Sequence, residues 1–163
     1  MLPLLKKNVK YIVIHHSEST GGDVLFIRKI HVDDNGWSDV GYHYVIPNGK
    51  KNGDWGAGQD GALQTGRPRK YIGAHARGYN TESLGICLIG RFGEHNPTKA
   101  QISRLINLCV ALCKEYQLPA SAIVGHYKLC NTDCPAKNMK RLLPIIRIVV
   151  KWLLKKRRAG KST

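Results

Sequence analysis

The densest group of reactive side chains in the chain is His126-Tyr127-Lys128-Leu129-Cys130-Asn131-Thr132-Asp133-Cys134-Pro135. An imidazole and a thiolate eight residues apart on one loop can fold back onto a single ion, and Pro135 stiffens the exit. A hydrolytic zinc centre needs three protein ligands of this kind and one open position for water. Seven histidines and five cysteines permit such a centre without specifying it. The third ligand must be remote in sequence, and His15 is the natural candidate: residues 9–14 (VKYIVI) read as a buried strand that would deliver it at its end. Two rivals stand close by. His16 is adjacent and reads as packing or as a support behind the ligands, since strand geometry turns it to the other face; Cys130 precedes Cys134 by four residues.

The elements that must position these groups alternate. Asp23 can cap a short helix through Val24, Ile27 and Ile30 that stops near Asn35-Gly36. Residues 41–47 (GYHYVIP) read as a second strand closed by the turn Asn48-Gly49, and 83–90 (SLGICLIG) as a third. The glycine-rich stretch 49–70 reads as loops and short strands. A long helix follows, with Asn96 as its expected cap, Pro97 in its first turn, and Ile102, Leu105, Ile106, Cys109, Leu112, Cys113 and Tyr116 on one face. Residues 122–124 form a short strand that delivers Gly125-His126. Strands alternating with helices predict an α/β layer structure with ligands gathered at strand ends.

Five segments in this order resemble the type-2 N-acetylmuramoyl-L-alanine amidases, the superfamily of amidase-type phage lysozymes and peptidoglycan-recognition proteins. They are Ile14-His15-His16-Ser17, Asp39-Val40-Gly41-Tyr42-His43, residues 73–80 (GAHARGYN), residues 83–90, and Gly125-His126 with Thr132 and Cys134-Pro135. The resemblance implies a central mixed β-sheet flanked by helices, with a zinc groove on one side. It maps His15, His126 and Cys134 onto the ligands of one zinc ion per chain, and Tyr42 and Thr132 onto catalytic positions. His75, Arg77 and Asn80 fall on groove positions that contact substrate. The implied reaction is cleavage of the amide between N-acetylmuramic acid and L-alanine of the peptidoglycan stem peptide, as in a bacteriolytic phage endolysin. Trp37 and Trp55 could line a sugar groove or pack loops, whereas His31, His43 and His95 read as structural or solvated and Cys109 and Cys113 as core.

Length and charge bound the rest. At 163 residues the chain reads as one domain, 1–163, with a catalytic core of about 8–138 and a basic segment of about 139–163. Twenty-six Lys and Arg against eleven Asp and Glu give +15, which predicts attraction to a polyanion. No acid follows Asp133, and Lys151, Lys155, Lys156, Arg157 and Arg158 sit among Leu, Ile, Val and Trp. That segment predicts a helix with Pro144 in its first turn or at a kink, docked through one apolar face or engaging anionic lipid or lipopolysaccharide. No apolar run reaches the ~20 residues of a spanning helix, and residues 1–10 lack a signal-peptide core. The expectation is a monomer made in the cytosol that reaches the wall after holin-type release. A catalytically silent recognition module is the competing reading. A nucleic-acid-binding protein rests on the charge alone, since no recognised motif accompanies it.

Overall fold

The computed structural model describes residues 1–4, 6–53 and 58–159, with side chains up to Lys156. Trp55 therefore lies outside the described residues, as do the side chains of Arg157 and Arg158.

Five strands form one mixed sheet: β1 (Tyr11–His16), β2 (Tyr44–Ile46), β3 (Gln64–Thr65), β4 (Ser83–Leu88) and β5 (Ile123–Gly125). Their spatial order is β3-β2-β4-β1-β5, parallel except for the antiparallel β2–β3 pair. This is the expected α/β architecture. β4 is buried at every residue because helices or loops cover both its faces. Along β1 and β4 the even-numbered residues Ile12, Ile14, Leu84, Ile86 and Leu88 enter the main core. They meet Leu105, Cys109 and Leu112 of α2 (Lys99–Glu115) and Met139, Leu143, Ile146 and Val150 of α3 (Ala136–Ala159). Each such aliphatic side chain, fully buried, contributes about 1.5–3 kcal/mol. Period-2 alternation therefore turns the odd-numbered His15, Gly85 and Cys87 to the opposite side of the sheet.

On that side lies α1 (Val24–Arg28), whose Asp23 side chain accepts from the amides of Leu25 and Phe26, as expected of a cap. The turns continue as a π-type segment to Asp34. α3 is tied to the sheet by Arg147, whose Nε donates to the Ile123 carbonyl at 2.6 Å.

Several boundaries depart from the sequence reading. The cap of α2 is Thr98, not Asn96: Thr98 Oγ1 accepts from the Gln101 amide and the Gln101 side chain returns to the Thr98 amide. This reciprocal box satisfies two end donors where Asn96 could satisfy one, and Pro97 falls before the helix. β2 is only Tyr44–Ile46: the His43 amide still donates to the Gly85 carbonyl of β4, but the carbonyls of Gly41 and His43 accept from the amides of Ala74 and Gly66 in neighbouring loops. Pro144 stands inside α3, beyond its first turn, and is exposed.

Candidate metal centre

Two parallel strands bring the two histidines together. Ile14 of β1 is registered with Gly125 of β5. His15, the next residue, therefore faces His126, the first residue beyond β5, with ring centroids 4.5 Å apart. His15 lies within its strand rather than just past it. A 3-10 turn at His126–Lys128 then reverses the chain, and the Tyr127 amide donates to the Cys134 carbonyl at 2.9 Å, closing the loop. Cys134 Sγ comes within 3.7 Å of His15 Nδ1. One donor atom each from His15, His126 and Cys134 all lie within 4.8 Å of one another. Cys130 is displaced from this cluster, its thiol donating to the Arg77 carbonyl. His16 stacks on Phe92 and approaches Cys134 from the side, Nδ1 at 3.4 Å from Sγ.

The donor set suits zinc. Burial, reinforced by His75 and His126, holds the His15 imidazole well below its usual pKa, and burial lowers that of His126. Both rings are thus neutral and able to donate a lone pair. Burial pushes the Cys134 thiol up to about 11, the cost a dication offsets by binding the thiolate.

His15 is oriented from behind. Its Nε2 is 3.1 Å from Nδ1 of His75, which leaves Nδ1 facing Cys134. If Nδ1 carries the lone pair for a metal, Nε2 carries the proton and donates to His75. His75 is itself held by its loop: Asn80 Oδ1 accepts from the amides of His75 and Ala76 at 2.9 and 2.8 Å. The ring lies over Gly85, where an added Cβ would sit 2.5 Å from His75 Cγ. His75 and Asn80 border the cavity, and these bonds fix their loop beside His15. Arg77, exposed at the rim, is the one of the three free to reach outward.

Tyr42 stands on the other flank of His15, ring centroids 5.0 Å apart. Burial raises its hydroxyl pKa well above the usual value, and the hydroxyl is hydrogen-bonded to Cys87, so it keeps its proton. Cys87 is a neighbour that sequence reading missed. It is paired with His15 across β1 and β4, and only the register places it there. Thr132 Oγ1 accepts from the Cys134 amide at 3.2 Å and does not line the cavity; among the described residues this turn bond is its visible role.

The remaining motif residues hold the frame. Ser17 Oγ accepts from the Gly90 amide. Asp39 Oδ1 accepts from the Val40 amide and pairs with Arg28 at 2.9 Å. Arg67 ties the carbonyls of Asp39, Val40 and Ile72 together. His43 bridges the Gly85 amide and the Tyr71 carbonyl, and His31 accepts from the Gly41 amide, so both are structural, as expected. His31 also packs against Trp37 with tilted rings, centroids 4.5 Å apart, and with it walls a cavity of about 490 Å³ whose floor is the His15–His126–Cys134 cluster. His95 is exposed beside Glu94.

Comparison with known proteins follows the same lines. The profile of the N-acetylmuramoyl-L-alanine amidase family matches residues 5–137. The endolysin of Escherichia phage T7 is 29% identical over 143 residues, covering 83% of this chain and 86% of the phage protein. Peptidoglycan-recognition protein LB of Drosophila melanogaster is 35% identical over 135 residues, covering 77% of this chain and 53% of the fly protein. Among solved structures, the N-acetylmuramoyl-L-alanine amidase LysC from Clostridium intestinale superposes with a TM-score of 0.70 at 29% identity, covering 85% of this chain and 86% of that one.

Proposed function

Because the chain belongs to the N-acetylmuramoyl-L-alanine amidase family, we propose that it is a zinc-dependent peptidoglycan hydrolase of the phage-endolysin kind. It cleaves the amide between the lactyl group of N-acetylmuramic acid and L-alanine. The observation that carries this reading is the convergence of His15, His126 and Cys134 on the floor of an open groove with Tyr42 beside them. A silent recognition module has no need of a thiolate completing a three-ligand set.

In this reading one zinc ion per chain is held by His15, His126 and Cys134. Bound there, it supplies a water acidic enough to act near neutral pH and a Lewis acid for the scissile carbonyl. His75 fixes the tautomer and direction of His15. Tyr42, protonated at neutral pH, donates its hydroxyl hydrogen toward negative charge developing on the amide oxygen. Thr132 shapes the ligand loop through the Cys134 amide. Arg77 at the rim suits a stem-peptide carboxylate, and Trp37 offers an aromatic face to a sugar ring. The enzyme acts as a monomer on the wall, reaching it after holin-type release.

The test is digestion of purified sacculi with mass analysis of what is released. Free stem peptides with an L-alanine amino terminus, and glycan bearing unsubstituted lactyl groups, are expected. Binding to sacculi without release would replace the hydrolase with a recognition module.

A further inference from the structure

α3 has a second apolar face. Its inner side, Met139, Leu143, Ile146 and Val150, is spent on the core. At helical spacing on the outer side, Ile145, Ile148 and Trp152 are 57%, 68% and 56% exposed. Burial of the inner stripe does not explain them, and three large apolar side chains aligned on solvent form a patch rather than scatter. The exposed Arg141, Lys151, Lys155 and Lys156 share this face and flank the patch, with Lys156 Nζ 5.1 Å from the Trp152 ring centroid. α3 contains no acid.

We propose that this outer face of α3 is a docking surface for an anionic phospholipid bilayer, lying flat in the headgroup region. The chemistry selects the occupant. An apolar strip inside a cationic rim matches a surface that offers acyl chains beneath negative headgroups, with Trp152 at the depth an indole prefers. A second copy of the chain would bring these cations against their own kind, and a nucleic acid would leave Ile145 and Ile148 without a partner. Insertion across the bilayer is not involved, since no described helix is long and apolar enough to cross one. The face points away from the main core and carries no member of the metal cluster, so the proposal stands independently of the hydrolase reading.

Two exposed-face variants test it: K151Q/K155Q/K156Q removes three charges, and I145S/I148S/W152S removes the apolar strip. Each is checked for unchanged circular dichroism and melting. The assay is co-sedimentation with vesicles of phosphatidylglycerol and phosphatidylcholine, or of phosphatidylcholine alone, at low salt. The intact chain is expected to bind the anionic vesicles and to release them as salt rises. The lysine variant is expected to bind about a hundredfold more weakly, near fivefold per charge, and the apolar variant to lose at least tenfold. Failure of the intact chain to bind anionic vesicles, equal binding to neutral ones, unchanged binding by either variant, or a dimer in solution dissolved by the apolar variant would each overturn the proposal.

Discussion

His43 carries a titration that can be read in stability. Its ring is fully buried between the sheet and the loop that leads to His75. Nδ1 accepts from the Gly85 amide at 3.0 Å, so the proton sits on Nε2, which donates to the Tyr71 carbonyl at 3.1 Å. A second proton on Nδ1 would point one donor at another. Burial lowers its pKa to about 4, Arg67 and Arg69 push the same way, and the Tyr71 carbonyl only partly opposes them. In the unfolded chain the ring titrates near ~6.5. Above that pH neither state is protonated and His43 costs nothing. As pH falls, the unfolded chain takes up a proton that the folded protein refuses, so stability is lost from about 6.5 down to about 4. At ~1.4 kcal/mol per unit the whole loss is roughly 3 kcal/mol, and about 2 kcal/mol of it falls between pH 7 and pH 5. Asn at this position keeps an acceptor for the Gly85 amide and cannot titrate. Urea unfolding of both proteins at pH 7 and pH 5 cancels the contributions of the other histidines. The original chain should lose about 2 kcal/mol more than His43→Asn on acidification. Equal losses in the two proteins would refute the reasoning.

Three other substitutions separate the parts of the site. His75→Ala removes the partner of His15 Nε2 and should weaken metal affinity ten- to a hundredfold in chelator competition; unchanged affinity would reduce His75 to a groove wall. Tyr42→Phe keeps the ring against His15 but loses the hydroxyl. Peptide release from sacculi should fall roughly 10²–10³-fold with metal content unaltered, and a rate within a few-fold of the original would remove Tyr42 from the chemistry. Gly85→Ala places a methyl into the His75 ring, which must shift; a stability loss of about 1–3 kcal/mol with weaker metal binding is expected, and no change in either would mean the ring relaxes freely.

The parts of the fold legible in sequence were those set by local pattern. The strand ending in His15-His16, the Asp23 cap and the apolar faces of α2 and α3 follow from periodicity and capping chemistry. Thr98 outdid Asn96 as a cap because Gln101 completes a reciprocal pair, a distinction a lone cap residue does not reveal. The triad could be nominated from strand ends and loop spacing. Its supports could not, because they depend on pairing between strands distant in sequence. Cys87 comes beside His15 only through the β1–β4 register, and His75 reaches His15 only because Gly85 leaves room for its ring. Reading His75 and Asn80 as groove residues located the right loop, while the bonds that tie them to His15 and to the loop backbone were not legible. On α3, the width of the apolar surface was visible in sequence, whereas the division into a docked and an exposed face needed the packing.

In the proposed mechanism everything rests on one catalytic zinc ion held by His15, His126 and Cys134. Metal content and peptide release from sacculi should be measured on the same samples of the purified protein, as isolated, after chelation, after zinc is restored, and for His126→Ala. About one zinc per chain is expected, with activity that disappears with the metal and returns with it, and a variant that neither retains zinc nor cleaves. Full cleavage by the chelated protein, or by His126→Ala, would contradict it.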